Sequence, residues 1–144
     1  MPFGNKNKVI QGGGFHHVAL QARNWDESVR FYRDVLGFEP VAEWKIASGQ
    51  TLMYLDMGDG VYLELFEPLD TSPKDPAPNQ PNDPWGHICL TTTDIEATIE
   101  HVRAAGYKIW LEPKDGSADF IKIRIAFFVG PNGELIELVQ MREE

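Results

Sequence analysis

His17-Val18-Ala19-Leu20, followed by Gly60-Val61-Tyr62-Leu63-Glu64-Leu65, is matched further along the chain by His87-Ile88-Cys89-Leu90 and Gly133-Glu134-Leu135-Ile136-Glu137-Leu138. The two histidines stand 70 positions apart and the two glutamates, Glu64 and Glu137, 73. In each half the glutamate lies four residues after a glycine and between apolar neighbours. A repeat of this length within one chain marks an internal duplication, and the polar residues it preserves inside apolar strands are costly unless something satisfies them.

Outward from these stretches, each half spells the same order of elements. Phe15 to Ala22 reads as a strand. Asn24 caps a helix that carries Val29, Tyr32 and Leu36 on one stripe and stops at Gly37. Glu39–Lys45, Leu52–Met57 and Val61–Phe66 follow as strands, with Gly58-Asp59-Gly60 turning the last pair. In the second half Gly86–Thr92 is a strand, and Thr93 or Asp94 caps a helix with Ile95, Ile99 and Val102 on one face, ended by Gly106. Lys108–Glu112, Ile121–Val129 and Glu134–Met141 complete the copy, with Pro131-Asn132-Gly133 as its turn. The expected fold class is α+β: two tandem βαβββ modules, residues 14–67 and 85–144, within one domain spanning 14–144. Residues 1–13 read as a loose polar leader. Residues 68–84, with Pro68, Pro73, Pro76, Pro78, Pro81 and Pro84, read as a stiff linker that excludes helix and sheet.

Strand alternation then sorts the side chains. His17 shares a face with Ala19 and Gln21, His87 with Cys89 and Thr91, Glu64 with Tyr62 and Phe66, and Glu137 with Leu135 and Val139. The opposite face is apolar in every case, so that is the face the helices cover. The histidines and glutamates therefore project to the inner surface of a curved sheet. Two unpartnered carboxylates brought together repel, whereas a divalent cation cancels both charges and leaves the imidazoles neutral. Oxygen and imidazole donors without a required thiolate suit Zn, Ni, Co, Mn or Fe(II), and leave positions open for water or substrate. His16 is expected on the helix side or at the strand edge, His101 on the solvated side of the second helix, and Glu67 and Glu134 at the wrong parity or in a turn. Cys89 reads as a small residue beside the site.

Bulk properties narrow the function. The 144 residues carry a net charge of −9, which disfavours nucleic acid and anionic membrane as partners. No apolar run approaches the roughly 20 residues of a membrane-spanning helix. The single cysteine, Cys89, precludes an internal disulfide, and a cytoplasmic location is the default expectation.

These motifs resemble the vicinal oxygen chelate superfamily, the glyoxalase I, bleomycin-resistance and extradiol-dioxygenase group. The resemblance is carried by His17-Val18-Ala19-Leu20, Phe31-Tyr32, Leu36-Gly37-Phe38, Leu63-Glu64-Leu65, Gly86-His87-Ile88, Ala126-Phe127-Phe128 and Pro131-Asn132-Gly133 through Ile136-Glu137-Leu138, over residues 15 to 141. It implies a glyoxalase-like cup with helices on the outer face, a divalent metal held by His17, Glu64, His87 and Glu137, and Glu64 or Glu137 as the catalytic base. It also implies a homodimer, since related cups are completed at a two-fold interface. The activity implied is that of a metal-dependent lyase or isomerase acting through an enediolate or enolate of a small substrate with two neighbouring oxygens. Gln21, Tyr62, Phe66, Cys89 and Thr91 are the candidate pocket residues. The chain departs from bacterial glyoxalase I at two positions used there toward glutathione: Gln21 replaces an arginine and Pro68 an asparagine. Two other readings compete. One is an Fe(II) dioxygenase, which the fourth protein ligand disfavours. The other is a sequestering protein for a drug-like ligand, with Trp44, Tyr54, Tyr62, Phe66, Trp85, Trp110 and Phe128 as candidate lining, most of which are expected to be core.

Overall fold

The computed structural model describes residues 7–11, 14–75, 86–118 and 121–142. Most of the expected leader, the linker prolines Pro76 to Pro84 and Trp85 lie outside the described residues. The first module contains β1 (His17–Gln21), α1 (Trp25–Arg30), a π-helical turn (Phe31–Val35), β2 (Glu39–Lys45), β3 (Thr51–Gly58) and β4 (Val61–Phe66). The second contains β5 (Ile88–Thr91), α2 (Ile95–Ala104), β6 (Ile109–Ala118), β7 (Ile121–Val129) and β8 (Leu135–Met141). Each module is a four-stranded mixed sheet of the same order, β1-β4-β3-β2 and β5-β8-β7-β6. The first strand of each runs parallel to the last, and the other pairings are antiparallel.

Local chemistry accounts for the element ends. The Asn24 side chain accepts a hydrogen bond from the Glu27 amide at 3.0 Å, and Asp94 accepts from the Ala97 amide at 3.0 Å. The β3–β4 hairpin turns through Gly58, Asp59 and Gly60, all at positive φ, where two of the three positions carry no Cβ to clash. Two expectations are revised. The first helix does not run uniformly to Gly37: it widens into the π-helical turn, with the Leu36 amide bonded to the Phe31 carbonyl at 3.0 Å. The strand expected at Lys108–Glu112 continues to Ala118, past Pro113. Proline is tolerated there because β6 is an edge strand, and the register shifts between Leu111 and Lys114 absorb it.

The apolar faces merge into one core that runs through both modules. Val29, Phe31, Leu55, Leu63 and Leu65 from the first half pack in the same cluster as Ile95, Ile99, Val102, Phe128 and Ile136 from the second. Phe31 bridges the halves, with its ring centroid 4.4 Å from Tyr107 and 6.2 Å from Phe128. A polar clamp fixes the join. Asn132 is 5% exposed; its Oδ1 accepts from the Arg23 amide at 2.6 Å, and its Nδ2 donates to Glu134 at 2.8 Å and to Ser28 at 3.1 Å. Glu134 also accepts from the buried Tyr32 hydroxyl at 2.8 Å. Burial, reinforced by that carboxylate, holds the Tyr32 phenol well above its ordinary pKa. Glu134 is thus a tie between the modules, consistent with its place in a turn. His101 is not merely solvated: its Nε2 bonds the Val35 carbonyl at 2.7 Å, tying α2 to the π-helical turn. Asn132→Ala strips a buried acceptor and two donors, so it is expected to destabilise the fold by about 2 kcal/mol in chemical denaturation. An unchanged midpoint would show that the clamp contributes nothing. No helix among the described residues is long and apolar enough to cross a membrane.

Candidate metal centre

Register places the sequence-predicted residues on one face of each sheet. Ala19 pairs with Glu64, Gln21 with Phe66 and His17 with Tyr62; in the second half Cys89 pairs with Glu137 and Thr91 with Val139. Partners in register share a face, so His17, Gln21, Tyr62, Glu64 and Phe66 lie together, as do Cys89, Thr91 and Glu137. Their alternates, Val18, Leu20, Ile88, Leu90, Leu63, Leu65, Ile136 and Leu138, lie in or against the core. The alternation read from sequence is the one the sheets adopt.

Each histidine reaches diagonally to the glutamate of the neighbouring parallel strand. His17 Nε2 lies 3.4 Å from Glu64 Oε2, and His87 Nε2 lies 2.7 Å from Glu137 Oε2. The two pairs are matched in exposure: the imidazoles are 36% and 38% exposed and the carboxylates 15% and 17%. Each glutamate is thus sheltered in the sheet and presents an oxygen next to an open imidazole nitrogen. That is a two-donor half-site in each module, and its nitrogen and oxygen donors fit a divalent cation of the Zn, Ni, Co, Mn or Fe(II) class. In this structure His87 Nε2 and Glu137 Oε2 are hydrogen-bonded to each other, whereas His17 and Glu64 stand farther apart.

The two half-sites do not merge within one chain. His17 and His87 line one cavity of about 1290 Å³ together with apolar residues such as Val18, Leu20 and Leu90 and polar ones such as Thr91, Thr98 and Glu134, but neither Glu64 nor Glu137 reaches it. Among the described residues, however, no group of three or more His, Cys, Asp or Glu side chains converges to hold a metal ion.

The surroundings of the half-sites differ in ways the sequence did not announce. His16, expected on the helix side or at the strand edge, turns its ring toward the inner face: its Nδ1 lies 2.7 Å from His17 Nδ1, and its ring 5.4 Å from that of Tyr62. Strand alternation fails for it because β1 begins only at His17. With His17 Nδ1 engaged by His16, Nε2 is the nitrogen left facing Glu64, an arrangement that orients the ring for ligation. Tyr54 stands opposite Glu64 in register, and its interaction with that carboxylate pushes the phenol pKa up. The equivalent residue opposite Glu137 is Phe127, which has no donor. Beside Glu137 lies Cys89, whose thiol donates to the Leu90 carbonyl; burial, with the carboxylate beside it, pushes that thiol up to about 12, so it is a protonated neighbour at neutral pH and no nucleophile. Glu67 is occupied elsewhere, accepting from the Thr51 amide at 2.7 Å. Of the pocket candidates, Gln21 donates to Ser72 at 3.2 Å, and Tyr62 stacks on Tyr54 at 5.7 Å.

Comparison with known proteins agrees with this architecture. The family model of the Glyoxalase/Bleomycin resistance protein/Dioxygenase superfamily matches residues 14–138. A probable lactoylglutathione lyase of Vibrio cholerae is 31% identical over 135 residues, covering 88% of this chain and 90% of its own length. One from Synechocystis is 30% identical over 128 residues, covering 86% and 92%. The crystal structure of a glyoxalase family protein from Enterococcus faecalis superposes with a TM-score of 0.71 at 27% identity, covering 88% of this chain and 97% of that one.

Proposed function

The chain belongs to the Glyoxalase/Bleomycin resistance protein/Dioxygenase superfamily, and we propose that within it the protein is a divalent-metal-dependent lyase or isomerase of glyoxalase type, acting through an enediolate or enolate of a small substrate with two neighbouring oxygens. The observation that carries this reading is the duplicated His/Glu pair, His17 with Glu64 and His87 with Glu137, at equivalent positions of two equivalent sheets. Relatives named as lactoylglutathione lyases, similar over nearly their whole length, support the lyase class.

Because each module supplies only two donors, we place the centre between two copies of the chain. His17 and Glu64 of one copy join the partner's His87 and the partner's Glu137, and a two-fold axis generates two such centres per homodimer. A cation held there supplies Lewis-acid stabilisation of the negative charge that develops on the substrate's oxygens. The protein's own groups do the rest. His16 bonds to His17, and Tyr54 stands opposite Glu64 in register. Glu137, which faces Phe127 rather than a tyrosine across the strands, is the carboxylate we assign to take a proton from the substrate carbon and return it to the neighbouring atom. The Cys89 thiol stays protonated throughout.

The test is solvent exchange. Incubation in D₂O with an α-hydroxy ketone is expected to place deuterium on the carbon bearing the hydroxyl. Oxygen consumption in place of exchange would identify a dioxygenase and overturn the reading. The exposed tryptophans Trp44 and Trp110 favour one second reading, ligand binding without turnover; tight binding with no exchange would establish it instead.

A further inference from the structure

The half-sites continue outward as rows of rings. From His17 and Glu64 on β1 and β4, a run of ring contacts leads through Tyr54 on β3 to Trp44 on β2, which is in register with Leu52. The second sheet repeats this with His87, Glu137, Phe127 and Trp110. The ring centroids are 5.6 Å apart for His17 and Tyr54 and 5.4 Å for Tyr54 and Trp44. The corresponding separations are 5.1 Å for His87 and Phe127 and 5.4 Å for Phe127 and Trp110. In both rows the indole stands nearly perpendicular to the ring before it, at 89° and 80°. Neither tryptophan belongs to the core: Trp44 is 41% exposed and Trp110 57%. An indole left open beside a polar pair, in the same place in both copies, is surface shaped for a ligand rather than for folding.

We propose that these rings form a shelf for a flat, uncharged aromatic body, so that the substrate is an aryl compound bearing its two neighbouring oxygens at one end. This rests on the metal-centre reading above and names its substrate class. Two perpendicular rings make a corner that takes a third ring face-on against one wall and edge-on against the other, the geometry aromatic groups prefer. Charge points the same way. Beyond Glu64, whose charge the cation offsets, the residues in register on the inner face of the first sheet include Glu39 and Asp56, and no lysine or arginine. A conjugate carrying carboxylates or phosphates would meet repulsion there. In the second sheet Lys114 is the one cation in register with that face, aligned with Ile125 and so beyond Phe127 along the strand. Gln21, whose amide is spent on Ser72, offers no charge either.

The experiment is calorimetric titration of the protein as purified with three probes: 2-hydroxyacetophenone, hydroxyacetone and S-lactoylglutathione. The phenyl ketone is expected to bind at least about tenfold more tightly than the methyl ketone, the size of a well-placed aromatic contact, and to quench tryptophan emission. Trp44→Ala and Trp110→Ala are each expected to shrink that preference, while Trp44→Phe retains most of it. Both positions are exposed, so the variants fold, and their metal content serves as the control. Equal affinity for the two ketones overturns the proposal, as does a preference that neither alanine variant moves, or tighter binding of the glutathione thioester than of either ketone. The two readings fail separately. Ring-dependent binding without deuterium exchange leaves the shelf standing and removes the enolising chemistry; exchange without a ring preference does the reverse.

Discussion

Mixing His17→Ala chains with His87→Ala chains is expected to restore activity that neither variant has alone. Each single variant breaks every centre, because each centre needs both histidines. If the centre is shared between two copies, a mixed dimer concentrates both lesions in one centre and leaves the other with His17, Glu64, the partner's His87 and the partner's Glu137 intact. Random exchange of subunits makes half the dimers mixed, so about one quarter of the wild-type exchange rate and metal content should return. A centre built within one chain would give none back, because every chain in the mixture carries a broken one. The prediction follows from the geometry of a single chain, in which two His/Glu pairs form but no cluster of three or more donors does among the described residues. Light scattering on the same samples should report a dimer.

The second large effect concerns the two glutamates, which composition alone treats as equivalent. Glu137→Gln is expected to slow deuterium exchange by about 10²–10⁴-fold, the usual contribution of a positioned base, with most of the metal retained through the other donors. Glu64→Gln is expected to act mainly by loosening the metal, because this carboxylate, beside His17 and opposite Tyr54, is assigned to ligation rather than proton transfer. Measured metal affinity and exchange rate should therefore separate the two variants. Equal losses of both quantities in both variants would show that the Tyr54/Phe127 difference has no mechanistic weight.

The sheets and the His/Glu pairs were legible because strand alternation is a strict period of two and the duplication supplied a second copy to check it against. Parity placed His17, Glu64 and Glu137; His87, which precedes β5, was reached through its match to His17 in the repeat. What lay outside the strands was harder. His16 precedes β1, so alternation does not govern it, and only the folded backbone brings its ring onto the inner face. The length of β6 was hidden by Pro113, which reads as a stop unless the strand is known to lie at an edge. The clamp of Asn132, Glu134, Tyr32 and Ser28 joins residues more than a hundred positions apart, and no local pattern announces such a pairing. Trp44 and Trp110 read most simply as core, since large aromatics in strands usually are. Their spacing from His17 and His87 differs between the halves, with bulges at Pro40/Ala42 and Ile109/Leu111, so the repeat does not align them by counting. A signal was present: one tryptophan in the second strand of each sheet.

All of these readings depend on a cation at the junction of the two half-sites. Metal analysis of protein purified without chelator, run side by side on wild type and His87→Ala, addresses it most directly. The account predicts close to one divalent ion per chain in the wild type and its loss in the variant, with folding unchanged. Wild-type protein that carries no metal and takes up none on titration with Zn, Ni, Co, Mn or Fe(II) would contradict it.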